Sequence, residues 1–154
     1  MQLAEVRSTV VKMVDISKKD EIYREAHASG EIHLKPETIK LIKEGRVEKG
    51  DPISIATLAG IQGAKLTPLI LPLCHPLRLE NTKIEAELMA HGVKVAATVA
   101  ATGKTGVEME ALTAVSVTLL NIWDVVKMYE KDQKGQYPTT AITSIQVVRK
   151  VKSK

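Results

Sequence analysis

Thirteen consecutive residues without a charge, Ala111 to Trp123, lie inside one helical stretch that runs on to about Lys131. A helix so apolar around its circumference must be covered on more than one side, which calls for a layered fold with this element near its centre. Ahead of the run, Thr105 and Glu108 form the T-x-x-E pattern of a capping box, so the spacing predicts a helix starting near Gly106. The run is too short, and too rich in Thr, Ser and Asn, to span a bilayer, and Glu5 and Arg7 stand where an apolar signal segment would lie. No membrane role is expected.

The rest of the chain supplies the cover. Ile22, Arg24, Ala26 and Ala28 share one parity, and Ile32 and Leu34 continue it beyond Gly30, the alternation of a long strand interrupted by glycine. Pro36 and Glu37 open a short helix that Gly45 stops. Asp51 and Pro52 are an N-cap and N1 pair for a second helix, in which Ala56, Ala59, Gly60, Gly63 and Ala64 allow close packing. Alternation resumes at Ile84 to Leu88 and at Val93 to Val99, a hairpin turning at His91-Gly92, and a last strand is expected from Ile142 to Val148.

The order β-α-α-β-β-α-β predicts an α+β fold of the ferredoxin-like, split βαβ kind: an antiparallel sheet with helices on one face and one helix added. The boundaries read as an arm over residues 1–19, a single domain over 20–150 and a basic tail over 151–154. A bare sheet face is expected to be a large apolar patch, which with the apolar helix predicts a homo-oligomer.

A net charge of +4 suggests an anionic partner. With no Phe, one Trp and three Tyr the chain lacks the stacking platforms of single-stranded nucleic-acid binders, so a small phosphorylated ligand is the better reading. The lone cysteine leaves no intramolecular disulfide to form and fits a reducing cytoplasm.

Reactive residues gather in two places. Cys74 and His75 lie between Pro72 and Pro76, which stiffen the backbone. Neighbours in an extended segment point to opposite sides, so Cys74 reads as a small hydrophobe rather than a nucleophile, while His75 stands equally as acid, base or phosphate donor and as a structural histidine. Gly103-Lys104-Thr105 is not a Walker loop, because Thr98 stands where its first glycine belongs. Glu108 is accounted for by the capping box, which leaves Glu110 the better functional residue. Asp124 and Lys127 can be a surface ion pair, and Lys49 can point into water. Yet Asp124 lies about 40° from Glu110 around the helix and roughly 21 Å along it. If both ends are functional, a long ligand spans them or a neighbouring subunit completes each site. No ligand spacing suggests zinc, so no metal site is expected.

Six segments in order resemble one family. Met13 to Ser17, Lys49-Gly50-Asp51, Ala59 to Lys65, Leu71-Pro72-Leu73-Cys74-His75-Pro76-Leu77, Thr102 to Leu112 and Asp124-Val125-Val126-Lys127 are similar to the motifs of the cyclic pyranopterin monophosphate synthase (MoaC) family of molybdenum cofactor biosynthesis, a lyase family acting on cyclised dihydro-GTP. The resemblance implies rearrangement to the pyranopterin, closure of a cyclic phosphate and release of pyrophosphate. It implies Asp124, Lys127 and Lys49 as catalytic residues, and Leu73, Cys74, His75, Met109 and Glu110 as substrate-binding residues. It also implies a homohexamer, a trimer of dimers with sites between subunits. No redox cofactor is called for, and no magnesium cluster is evident. A lysine crowded by other cations would have a depressed pKa suited to proton transfer. The family's usual Gly-Gly-Lys-Ser-Gly ending is missing, so a C-terminal lysine contact is unassigned; Trp123 and Gly63 replace the usual Tyr and Ala. A regulatory nucleotide-binding protein and a basic RNA-binding module are the rival classes.

Overall fold

The computed structural model describes residues 8–153; the first seven residues of the expected arm, and Lys154, lie outside that range. Residues 8–20 form no helix or strand beyond a turn in which Lys19 N–H donates to Ile16 O at 3.0 Å. Four strands, β1 (Ile22–His33), β2 (Asn81–Met89), β3 (Gly92–Gly103) and β4 (Ala141–Ser153), pair antiparallel in the order β2-β3-β1-β4. The helices are α1 (Pro36–Lys43), α2 (Pro52–Ile70) and α3 (Glu108–Glu130). This is the expected α+β arrangement.

Strict alternation in β1 and β3 turns Ala26, Ala28, Ile32, Val93, Val95, Ala97 and Val99 to the helices, where all are buried. Gly30 is where the central helix comes closest. A Cβ there would lie 2.9 Å from Leu119 Cδ1 and 3.0 Å from Val115 Cγ1, so the glycine admits α3 rather than interrupting the strand. Asp51 caps α2 as expected, its carboxylate accepting from Ile53 N–H at 3.1 Å and Ser54 N–H at 3.3 Å. The α2 helix then lies along α3 through its small residues, Gly63 against Val117 and Gly60 against Ala114 and Thr118. Both helices are long and apolar enough to cross a membrane by length and composition, unlike the uncharged run taken alone. In the fold α3 instead packs on β1, β3 and β4 and carries two buried carboxylates, Glu110 and Glu130.

Three expectations change. The capping box does not form: α3 begins at Glu108, Val107 holds the N-cap position without a side-chain cap, and Glu108 accepts from Lys150 Nζ at 2.9 Å across 42 residues of sequence. That long-range pair removes Glu108 from local capping. Secondly, β4 does not stop at Val148; Val151, Lys152 and Ser153 pair with Glu25, Arg24 and Tyr23. Thirdly, the open sheet face is polar, with Glu25 accepting from Tyr23 OH at 2.6 Å and joined to His27 Nε2 at 2.6 Å, and Thr98 Oγ1 bonded to His27 Nδ1 at 3.0 Å. Exposed apolar side chains on the helix layer include Ile55, Leu58, Leu66 and Leu69 of α2 and Met109 and Leu120 of α3.

Candidate functional site

Where α2 ends, Leu71 N–H donates to Thr67 O at 2.8 Å and Cys74 N–H to Leu71 O at 3.0 Å, so the proline-flanked segment folds into a turn rather than an extended strand. Cys74 and His75 therefore do not diverge. Both line a cleft of about 610 Å³ whose walls also carry Leu73, Met109 and Glu110, which brings all five expected substrate-binding residues together. The first turn of α3 contributes Met109 and Glu110, and Val147 and Lys150 of β4 close the cleft beside Glu108.

Glu110 is the chemically distinctive wall of the cleft. It is 3 % exposed, and burial pushes its carboxyl above the ordinary glutamate value, with the neighbouring Glu108 charge adding to the shift and its own backbone N–H opposing it. No other group among the described residues donates to it. A buried carboxylate with no donor beyond its own backbone N–H is suited to a ligand that brings paired N–H groups. Burial also raises the Cys74 thiol, with the Glu110 charge in the same direction, which keeps it a thiol and argues against a nucleophile. Burial works the same way on Glu108, but the Lys150 hydrogen bond and charge outweigh it, so Glu108 titrates below the ordinary value.

The second cluster sits at the other end of α3. Lys127 Nζ donates to Asp124 Oδ1 at 2.8 Å, Lys49 Nζ approaches Asp124 Oδ2 at 3.5 Å, and Lys49 Nζ donates to Asp124 O at 3.2 Å. One carboxylate thus holds two ammonium groups in reach of solvent. The Lys127 hydrogen bond and charge, then Lys49, lower the Asp124 carboxyl, and Asp124 in turn raises Lys127. The depressed lysine pKa expected from crowding by cations is therefore not found at Lys127, because its nearest partner is an anion. Fourteen residues of helix separate Glu110 from Asp124, roughly 21 Å.

Several residues of the site escape a local reading. Val14, Ile16 and Lys19 of the arm line the cleft, and Lys150 gives a C-terminal lysine a place despite the missing glycine-rich ending. Lys104, in the segment that is not a Walker loop, donates from Nζ to Ser17 O at 3.2 Å and holds the arm down. Among the described residues no three His, Cys, Asp or Glu side chains converge as metal ligands.

The chain matches the MoaC family model over residues 13–153. It is 55% identical over 145 residues to a protein of Sulfurisphaera tokodaii named probable cyclic pyranopterin monophosphate synthase, covering 94% of this chain and 96% of the relative. Relatives of the same name from Pyrococcus horikoshii and Archaeoglobus fulgidus are 52% identical over 151 residues, covering 98% and 95%, and 47% identical over 152 residues, covering 99% and 97%.

Proposed function

This chain belongs to the MoaC family, and from that membership we infer that it converts cyclised dihydro-GTP to cyclic pyranopterin monophosphate with release of pyrophosphate, a lyase step of molybdenum cofactor biosynthesis. The observation that carries the reading to residues is the division of labour between the two ends of α3. A buried carboxylate in an apolar-walled cleft marks one end, and two lysines on one aspartate mark the other. In the cleft, Glu110 grips the guanidine-like edge of the base, Leu73 and Met109 flank the ring, and Cys74 and His75 close its side. Lys49 and Lys127 neutralise the triphosphate. A ribose hydroxyl oxygen attacks the innermost phosphorus and releases its proton to water, the bond to the bridging oxygen breaks, and pyrophosphate leaves against the two ammonium groups. Held protonated by Asp124, Lys127 keeps its positive charge for the departing pyrophosphate.

A separation of roughly 21 Å is too long for one substrate molecule to engage both clusters of one subunit. A second copy of the chain removes the difficulty. On α2, Ile55 and Leu69 lie seven residues either side of Gln62, and Leu58 and Leu66 lie four either side, all exposed. On α3, Met109 and Asp124 lie symmetrically about Ser116 and Val117. The two midpoints lie close together, since Gly63, the residue after Gln62, packs against Val117, where a Cβ on the glycine would lie 2.8 Å from Val117 Cγ2. A two-fold axis there pairs the helix layers antiparallel and sets the Lys49, Asp124 and Lys127 cluster of one subunit over the cleft of its partner. Three such dimers make the hexamer that the family resemblance implies. The lone Cys74 thiol suits a cytoplasmic location.

Purified protein supplied with the cyclised precursor is expected to release pyrophosphate and form the cyclic-phosphate pterin in equal amounts. Lys49→Ala, at an exposed position, and Lys127→Ala, at a half-buried one, are expected to lower turnover by at least about a hundredfold while remaining folded. Tight precursor binding without pyrophosphate would replace the synthase with a regulatory nucleotide-binding protein.

A further inference from the structure

We propose that Tyr129 is a positioning residue for the reaction: its hydroxyl fixes the backbone turn that carries Lys49 against Asp124. The inference rests on the synthase reading for the reaction it serves. Lys49 reaches Asp124 along a flexible side chain, so where its ammonium sits depends on how firmly its backbone is held. The connection from α1 to α2 is anchored by Val47, 8 % exposed in the core, and closed on itself by a turn in which Gly50 N–H donates to Val47 O at 3.1 Å. Gly50 permits that turn with φ of 115°, and Asp51 then caps α2. Val47 packs into the core that α3 shares, but none of these hydrogen bonds ties the turn's backbone to the helix bearing Asp124 and Lys127.

Among the described residues, the one hydrogen bond from the turn's backbone to α3 is Glu48 N–H donating to Tyr129 Oη at 2.8 Å. Tyr129 follows Lys127 by two residues, and its ring packs against the core, so its hydroxyl is a rigid reference point on the helix that carries the other two charged groups. Glu48 is the residue before Lys49. The bond therefore sets the distance between the two halves of the cluster one residue from where it matters. Being exposed, it contributes little to folding, because water takes its place when it is lost. Its effect falls on geometry, where a displacement of an ångström slows a positioned reaction strongly.

Tyr129→Phe keeps the ring and removes the acceptor, and it is tested in the full-length protein in two ways. Turnover is expected to fall roughly tenfold with KM and the unfolding midpoint little changed, as loss of transition-state positioning requires. Without substrate, mass-spectrometric labelling by an acylating reagent is expected to modify Lys49 several-fold faster than in the wild type and Lys127 at an unchanged rate. Turnover within twofold of the wild type, or unchanged labelling of Lys49, overturns the proposal. So does equal acceleration at Lys49 and Lys127, which would mean that the end of α3 has loosened as a whole. Wild-type protein that binds the precursor without releasing pyrophosphate would remove the reaction instead, and is read separately.

Discussion

Glu110 and Glu130 lie on the same helix and are both buried, yet their surroundings assign them opposite duties. Glu130 is saturated: it accepts from Lys35 N–H at 3.1 and 3.2 Å, from Thr140 Oγ1 at 2.8 Å and from Thr38 Oγ1, which pins the start of α1 to the end of α3. Glu110 has no such donors and keeps its charge at a cost. Its raised pKa means that its contribution to stability is fully present below the unfolded value near 4.5 and is lost as pH rises through the folded value. Glu110→Gln carries no charge at any pH. We expect its stability relative to wild type, followed by urea unfolding, to change little near pH 4 and to rise by on the order of 1 kcal/mol at neutral pH, while precursor affinity falls at least about tenfold. Lowered carboxyls such as Asp51 and Asp15 are common to both proteins and cancel in the difference. A gain in stability that persisted unchanged at pH 4, or unaltered affinity, would contradict the role given to Glu110. Sequence alone set Glu110 apart from Glu108 by an incorrect route, since Glu108 is occupied by Lys150 rather than by a cap.

The contact between α2 and α3 depends on residues chosen for the space they leave. A Cβ on Gly60 would lie 2.9 Å from the Ala114 carbonyl oxygen and 2.6 Å from Ile84 Cδ1, besides meeting Thr118 Oγ1. Ile84 can shift, but the carbonyl belongs to the backbone of α3. Gly60→Ala gains about 1 kcal/mol of helix propensity and loses more through overpacking, so a net destabilisation of about 2 kcal/mol is expected in chemical unfolding. Stabilisation instead would show that the helices separate freely. Such packing was legible beforehand, because small residues at helical spacing have few other uses, and so were β1 and β3, whose alternation is nearly unbroken. The end of β4 was not. Ala28 pairs with Val147 but His27 pairs with Arg149, so Val148 is an extra residue that breaks the period of two. A second irregularity opposite Gly30 contains Ser144 with φ of 59°. A strand that bulges twice reads as a loop and a tail when only its own residues are considered.

For the whole molecule, the informative quantity is the separation of its two clusters. Helical geometry gave roughly 21 Å between Glu110 and Asp124 before any coordinates, and the pairings of Lys49 and Lys127 with Asp124 leave those groups at the far end. The open sheet face is not the apolar patch expected of it, since parity exposes polar side chains such as Glu25, His27 and Thr98 there, while the apolar side chains centred on Gln62 belong to the helix layer. In the helix-layer pairing we propose, assembly joins half-sites rather than only covering a face. Subunit mixing tests this directly. His75→Ala damages the cleft and Lys127→Ala the lysine cluster, so each protein alone is expected to be inactive. In a two-fold dimer with shared sites, a mixed pair collects both defects in one site and leaves the other intact. Co-refolding equal amounts makes half the dimers mixed, and turnover is expected to recover to about a quarter of the wild-type value. No recovery, with mixed dimers demonstrated by mass, would confine each site to a single subunit, and α3 would then have to bend or the substrate to migrate along it between steps.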